Sequence, residues 1–128
     1  MKGFINMKCK LNFIIFLTIL HIFAQKYIKP EITENKTPDS YQTEFIVKLK
    51  KKQPLKYLEL AETIAEGQKV EAFKIHSKTD DGFWNFEEHG TTIGSRKIVV
   101  LENVETNELK VQITSARDVV KLDWVRVY

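Results

Sequence analysis

Residues 43–49 read Thr-Glu-Phe-Ile-Val-Lys-Leu, and residues 109–113 read Leu-Lys-Val-Gln-Ile. Apolar side chains recur at every second position in both stretches, with Phe45, Val47 and Leu49 sharing one face of the first. Because successive side chains of a β-strand point to opposite faces of a sheet, this period of two predicts strands that bury one face. The two stretches therefore indicate a β fold.

Five further runs rich in Val, Ile, Phe, Tyr and Trp surround these two strands, and polar turns separate them. They occupy residues 55–62, 69–76, 83–87, 96–101 and 119–128. Asp81-Gly82 is a strong hairpin signal, because glycine adopts the backbone conformation that tight β-turns need. No segment after residue 26 keeps an apolar stripe at helical spacing for a full helix. Seven predicted strands without a helix indicate an antiparallel β-sandwich.

A secretory signal is predicted ahead of the strands. An apolar run at residues 13–23 follows Lys2, Lys8 and Lys10, which predicts a signal peptide over residues 1–25 and a flexible leader over residues 26–42. The run has about half the length of a bilayer span, which disfavours a stable membrane anchor. We expect export to the periplasm or the extracellular space. Cys9 is the only cysteine, so the exported domain should be stable without disulfides.

The charge of the chain argues against nucleic acid as a partner. The formal net charge of +3 equals the contribution of the three lysines before residue 13, and the remainder has equal numbers of basic and acidic residues. Without a basic stripe, the release of counterions from phosphates has little to act on.

Two motifs carry a family resemblance. Residues 62–70 read Glu-Thr-Ile-Ala-Glu-Gly-Gln-Lys-Val, and residues 90–94 read Gly-Thr-Thr-Ile-Gly before a basic pair at residues 96–97. In this order and spacing they resemble the C-terminal β-sandwich of retaining α-L-fucosidases, which has an aromatic strand where Trp84 stands. Lys69 departs from the family's arginine, and Ser95 departs from the aromatic residue that commonly follows the loop. The resemblance covers residues 45–128 and implies a jelly-roll-like, galactose-binding-like sandwich.

This resemblance implies a non-catalytic accessory domain of an exported α-L-fucosidase-type glycoside hydrolase, which supports the catalytic barrel or contacts fucosylated glycan. Counterparts of the barrel and of the family's early strands are missing, so residues 43–128 are predicted to form a shortened sandwich, and we do not expect the free chain to be an enzyme. Two alternatives stay open: a free-standing carbohydrate-binding module, and a non-functional fragment of a truncated fucosidase gene.

The candidate residues for contact with a ligand or an interface come from the motifs. They are Glu62, Gln68, Trp84, Thr91, Thr92, Arg96 and Arg117. Trp84, with Phe83 and Phe86 beside it, suggests sugar stacking, whereas alternating aromatic residues on a strand also line sandwich cores. Structural roles for the polar residues are an acid pairing with an arginine and backbone bonds within the Gly-Thr-Thr-Ile-Gly loop.

Catalytic and metal sites are not expected. A retaining glycosidase needs two carboxyl groups about 5 Å apart across a cleft, whereas Glu87 and Glu88 are strand neighbours that should point to opposite faces. A metal site needs clustered ligands, whereas His76 and His89 lie on separate predicted elements. We therefore predict no catalytic residue, no metal and no cofactor.

Overall fold

A computed structural model describes Ile28, residues 30–36 and residues 43–128. The predicted signal peptide lies outside these residues. Six strands follow in chain order: β1 (Glu31–Lys36), β2 (Thr43–Glu62), β3 (Val70–Lys78), β4 (Trp84–Gly90), β5 (Lys97–Ala116) and β6 (Leu122–Val127). All pairings are antiparallel, and the described part of the chain contains no helix, hence none that could cross a membrane. The all-β prediction is confirmed.

Strands β2 and β5 form the centre of the sheet. They pair from Thr43↔Ile113 to Leu60↔Lys97, with register shifts that interrupt the ladder on both sides of residues 53–55. The order β1-β2-β5-β3-β4 forms a five-strand half around residues 43–48 of β2. Residues 58–60 of β2 instead pair with β5 on one side and with β6 on the other, which gives a three-strand half.

The seven predicted strands become six because the two central strands are continuous. The polar run at residues 51–54 was expected to be a turn. Instead, Gln53 pairs with Thr106 and Pro54 with Glu105, so residues 43–49 and 55–62 belong to one strand. The predicted strands at 96–101 and 109–113 are likewise joined in β5. The pairing of Gln53 and Pro54 with β5 continues the strand, and hydrophobic periodicity carries no signal of this pairing.

A single apolar core joins the two halves. Val47, Leu109 and Ile113 of the five-strand half are fully buried, as are Leu58 and Leu60 of the three-strand half, and all belong to one cluster. Burying one such side chain is worth about 1.5–3 kcal/mol. The halves therefore pack on a shared core as a β-sandwich, and the predicted inward faces of residues 43–49 and 109–113 are the observed ones.

Strand β1 lies inside the segment that we predicted as a flexible leader. Glu31–Lys36 pairs with residues 43–48 of β2 at the edge of the sheet, and Ile28 forms a bridge with Val127. Side chains 31–35 are exposed, so β1 is held by backbone pairing and has no buried face. A strand of this kind lacks the alternation from which the other strands were predicted.

The turn between β3 and β4 is the one that Asp81-Gly82 predicted. Gly82 has a φ of 87°, in the left-handed region that favours glycine. Its N–H donates to the Thr79 carbonyl at 3.0 Å, and the N–H of Phe83 donates to Thr79 Oγ1 at 3.0 Å. The hairpin sets the position of the aromatic residues of β4.

Candidate functional site

The buried carboxylate of Glu62 links the two family motifs through hydrogen bonds. Its side chain is buried, at 3% exposure, and its Oε1 accepts hydrogen bonds from the N–H groups of Lys69 at 2.6 Å and Val70 at 3.3 Å. Its Oε2 accepts one from the N–H of Gly94 at 2.9 Å, and its own N–H donates to the Gly94 carbonyl. A carboxylate with three backbone donors is well satisfied where it lies. This geometry favours a structural role for Glu62 over contact with a ligand.

A polar cleft brings three of the predicted residues together. Gln68, Thr92 and Arg117 line a cleft of about 880 Å³, together with Glu66, Gly67, Lys69, Val70, Glu71 and Asp118. Arg117 Nε donates to Glu71 Oε1 at 3.0 Å, and Ser115 Oγ donates to Glu71 Oε2 at 2.8 Å. These bonds, the one from Ser115 first, hold the pKa of Glu71 below its usual range. Much of the charge in the cleft is thus compensated by its own neighbours.

An aromatic cleft lies at the end of β4. It has a volume of about 420 Å³ and is lined by Ala72, Phe73, Lys74, Phe86, His89, Gly90, Thr91 and Thr114. Phe86 is 55% exposed, and its ring stacks on that of His89 with a centroid distance of 6.2 Å and an interplanar angle of 26°. Two threonines and a lysine stand around this exposed pair of rings.

The absence of a side chain at Gly90 shapes the floor of the aromatic cleft. A Cβ atom at this position would lie 2.4 Å from the ring of Phe73, which is buried and pairs with Gly90 across β3 and β4. Only glycine allows this approach. The ring of Phe73 therefore occupies the space that a β4 side chain would otherwise fill.

Trp84 lies between the two interpretations that the sequence allowed. It is half-buried and absent from the core cluster, and Lys110 Nζ stands 4.8 Å and Lys78 Nζ 5.8 Å from its ring centroid. Cations at these distances are attracted by the face of the indole. The neighbouring Phe83 is 72% exposed. Trp84 is neither a core residue nor an open platform, and its role in binding stays a prediction.

Arg96 belongs to a different surface. It lies one residue before β5, on the three-strand half, and its Nη2 donates to Glu59 Oε1 at 2.9 Å. Arg126 Nη1 stands 4.0 Å from the other oxygen of this nearly buried carboxylate. The acid that pairs with Arg96 is thus Glu59, and the acid that pairs with Arg117 is Glu71, whereas Glu62 binds backbone N–H groups.

The structure distributes the predicted residues over several places. Gln68, Thr92 and Arg117 meet in the polar cleft, and Thr91 lines the aromatic cleft. Sequence reasoning missed Lys74, His89 and Thr114, three residues that line the aromatic cleft. Lys74 and His89 are cross-strand partners. A correct register for β3 and β4 would have placed them together, but the bulge between Ile75 and His76 shifts that register.

The acidic residues of β4 and the histidines of β3 and β4 contact their neighbours. Glu87 accepts a hydrogen bond from the Ser77 hydroxyl, and Glu88 Oε1 accepts one from the N–H of His89 at 2.9 Å. The ring of His76 meets Phe86 edge-on at 5.9 Å. Burial first, and then Lys110, lower the pKa of His76, which favours its neutral form. Within the described residues, no group of three or more His, Cys, Asp and Glu is placed to hold a metal ion.

Comparisons with known proteins agree with the resemblance carried by the motifs. No protein-family model matches the chain. The chain is similar to α-L-fucosidase 1 of Arabidopsis thaliana, with 30% identity over 95 residues, and this match spans 71% of the chain and 19% of that protein. The chain thus spans about a fifth of the curated relative that it matches.

Solved structures extend the comparison to the fold. A Bacteroides ovatus structure assigned as an α-L-fucosidase is 30% identical, with a TM-score of 0.61 over 81% of this chain and 16% of that one. A family 32 carbohydrate-binding module from C. perfringens, solved in complex with galactose, is 15% identical, with a TM-score of 0.61 over 75% of this chain and 74% of that one. The second likeness concerns the fold alone. The predicted resemblance to a domain of α-L-fucosidases with a galactose-binding-like fold is therefore confirmed.

Proposed function

We propose that the chain is a non-catalytic accessory β-sandwich of an exported α-L-fucosidase-type glycoside hydrolase, and that it contacts fucosylated glycan in the aromatic cleft. The observation that carries this proposal is the exposed Phe86–His89 stack with Thr91 and Thr114 beside it. Stacking and hydrogen bonding of this kind recognise a sugar ring, because its C–H face is apolar and its hydroxyl groups both donate and accept.

The lining of the aromatic cleft favours a deoxy sugar. Ala72 and Gly90 present mainly apolar surface next to the stacked rings, and the buried ring of Phe73 lies beneath Gly90. Fucose carries a methyl group where galactose carries a hydroxymethyl group, and an apolar surface leaves the additional hydroxyl without a partner. A shallow cleft with one exposed ring pair supplies few contacts, so we expect a dissociation constant on the order of 1 mM for a single sugar.

Thermal unfolding with and without glycan tests this proposal. A ligand that binds only the folded chain raises the midpoint. We expect an excess of a fucosylated oligosaccharide to raise the midpoint of the full chain, and we expect Phe86→Ala to abolish this rise. Phe83→Ala is the matched control, because Phe83 is a more exposed aromatic residue that does not line the cleft. An equal rise in all three proteins, or no rise in the unmodified chain, would contradict the proposal.

We also propose that the chain does not itself cleave glycosidic bonds. Glu87 and Glu88 are engaged by Ser77 and by the backbone of His89, which is unlike a carboxyl pair poised across a sugar cleft. The full chain should release no nitrophenol from 4-nitrophenyl α-L-fucoside, and turnover that survives purification to homogeneity would contradict this proposal.

The second role to test is support of a catalytic barrel. The chain matches only 19% of the α-L-fucosidase to which it is similar, so a catalytic domain is a natural partner for it. The barrel would lie in another part of a longer protein or in a separate chain. Co-purification with an α-L-fucosidase catalytic domain that lacks its own sandwich is the expected result for this role. Glycan binding without such a partner would favour the alternative of a free-standing carbohydrate-binding module. The absence of a cooperative unfolding transition would favour the alternative of a non-functional gene fragment.

A further inference from the structure

In the part of the chain that the structure describes, strand β5 forms an unpaired edge of the three-strand half. Residues 97–106 pair with β2 on one side, whereas β3 pairs only with residues 109–116. Among the described residues, no strand pairs with the other side of residues 97–101. Backbone N–H and C=O groups along such an edge can accept another strand.

The side chains of this edge are unusually apolar for a solvent-exposed strand. Ile98 is 48% exposed and Val100 56%, and both lie on the outer face beside Tyr57, which is 45% exposed. Val99 and Leu101 alternate with them and are buried in the core. Natural edges are commonly blunted by charges, prolines or bulges. Here the left-handed backbone at Asn103, with a φ of 52°, comes only after the apolar segment.

We propose that two copies of this chain associate through residues 96–102, whose strands pair antiparallel across a two-fold axis at Val99. Residues opposite each other in an antiparallel pair lie on the same face. In this register Ile98 faces Val100 of the second copy, and Arg96 faces Glu102 of the second copy. The three-strand halves of the two copies then form one continuous sheet.

Charge complementarity favours a second copy of the chain as the partner of this edge, and it favours the register with the axis at Val99. Arg96 has a side chain that is 61% exposed, and Glu102 is exposed at the other end of the segment. A two-fold axis at Val99 places these opposite charges across from each other twice, as a self-complementary interface requires. Moving the axis to Ile98 or to Val100 would set Arg96 against an apolar residue instead. The sequence of this segment therefore complements a second copy of itself.

Sedimentation equilibrium of the full chain at several concentrations tests the proposal. We expect a monomer–dimer equilibrium in the unmodified chain and at least a tenfold weaker association in Glu102→Arg, because the introduced arginine would face Arg96 of the other copy. Adding Arg96→Glu to this variant restores opposite charges and should restore association. Glu105→Arg is the matched control, since Glu105 is exposed on the same strand outside the paired segment. A monomer at all concentrations, or equal association in Glu102→Arg, would overturn the proposal.

Arg96→Glu also removes the contact with Glu59 and could impair folding. A cross-linking measurement tests the register without changing Arg96. In a Cys9→Ser background, Ile98→Cys and Val100→Cys are prepared as separate proteins. Mixed under mild oxidation, the two should form a disulfide with each other faster than either forms one with itself, because residues 98 and 100 face each other across the axis. Equal rates of self-linking and cross-linking would contradict the register. Protection of the edge by the chain's own N-terminal residues would leave the protein monomeric and would overturn the proposal.

Discussion

Glu62 shows how one buried carboxylate can hold two distant loops. Glu62→Gln keeps the shape of the side chain but directs an amide donor toward backbone donors, so we expect a loss of about 1–3 kcal/mol in the free energy of unfolding. Chemical denaturation measures this loss. Glu66→Gln is the matched control, because Glu66 is 81% exposed on the same turn and should change stability little. Equal stability of the two variants would show that the Glu62 contacts contribute little.

His76 should make stability depend on pH. Its pKa is lowered in the folded chain, first by burial and then by Lys110, so the unfolded chain takes up this proton first as the pH falls. Stability from this group is therefore lost as the pH falls from about 6.5 toward the lowered pKa, and it is retained above that range. Thermal melts at pH 7.5 and pH 5 should differ less in His76→Gln than in the unmodified chain. An unchanged difference would assign the pH dependence to other groups.

At the scale of residues, the sequence indicates conspicuous polar side chains but does not determine which groups they contact. Glu62 and Arg96 were predicted from the motifs as candidates for contact with a ligand or an interface, and that role stays a prediction. Each has a partner far along the chain, since Glu62 accepts a hydrogen bond from the N–H of Gly94 and Arg96 donates one to Glu59. These partners depend on strand register, which local patterns do not determine. For the same reason Lys74, His89 and Thr114 were not predicted to line a common cleft.

At the scale of elements, the contact between β3 and β4 depends on Gly90. Gly90→Ala would place a Cβ atom against the buried ring of Phe73 and force the ring or the strand to move. Such overpacking typically costs about 1–3 kcal/mol. We expect a lower midpoint in thermal unfolding, whereas Thr91→Ala, the neighbouring change, should have a smaller effect. Equal midpoints for Gly90→Ala and the unmodified chain would show that the ring relaxes without cost.

The elements were predictable where a strand has one buried face. Residues 43–49 and 109–113 alternate as predicted, and the Asp81-Gly82 turn closes the expected hairpin. The two extended segments that the sequence did not predict were missed for the same reason. Glu31–Lys36 pairs with β2, and Gln53 and Pro54 pair with β5, while most side chains of both segments are polar. Hydrophobic periodicity reports burial, so it detects neither segment.

At the scale of the whole molecule, one core should unfold in one step. Trp84 belongs to the five-strand half and Trp124 to the three-strand half, and these are the only tryptophans. Trp124→Phe and Trp84→Phe each leave a single fluorescent reporter. Because both halves share the core, we expect the unfolding transition measured by fluorescence to coincide with that measured by circular dichroism in each variant. Fluorescence that changes ahead of circular dichroism in one variant would reveal a half that unfolds separately.

The continuity of β2 and β5 also has a consequence for synthesis. Of the two central strands, β2 leaves the ribosome before β5, so the central pair closes only after Lys97 has been made for Leu60 and Ile113 for Thr43. The hairpin of β3 and β4 forms from neighbouring residues, but it gains a place in the sheet only through β5. Such long-range pairing delays compaction until most of the chain has been made. A nascent chain of this design therefore acquires its central pair late, only after the residues up to Ile113 have been made.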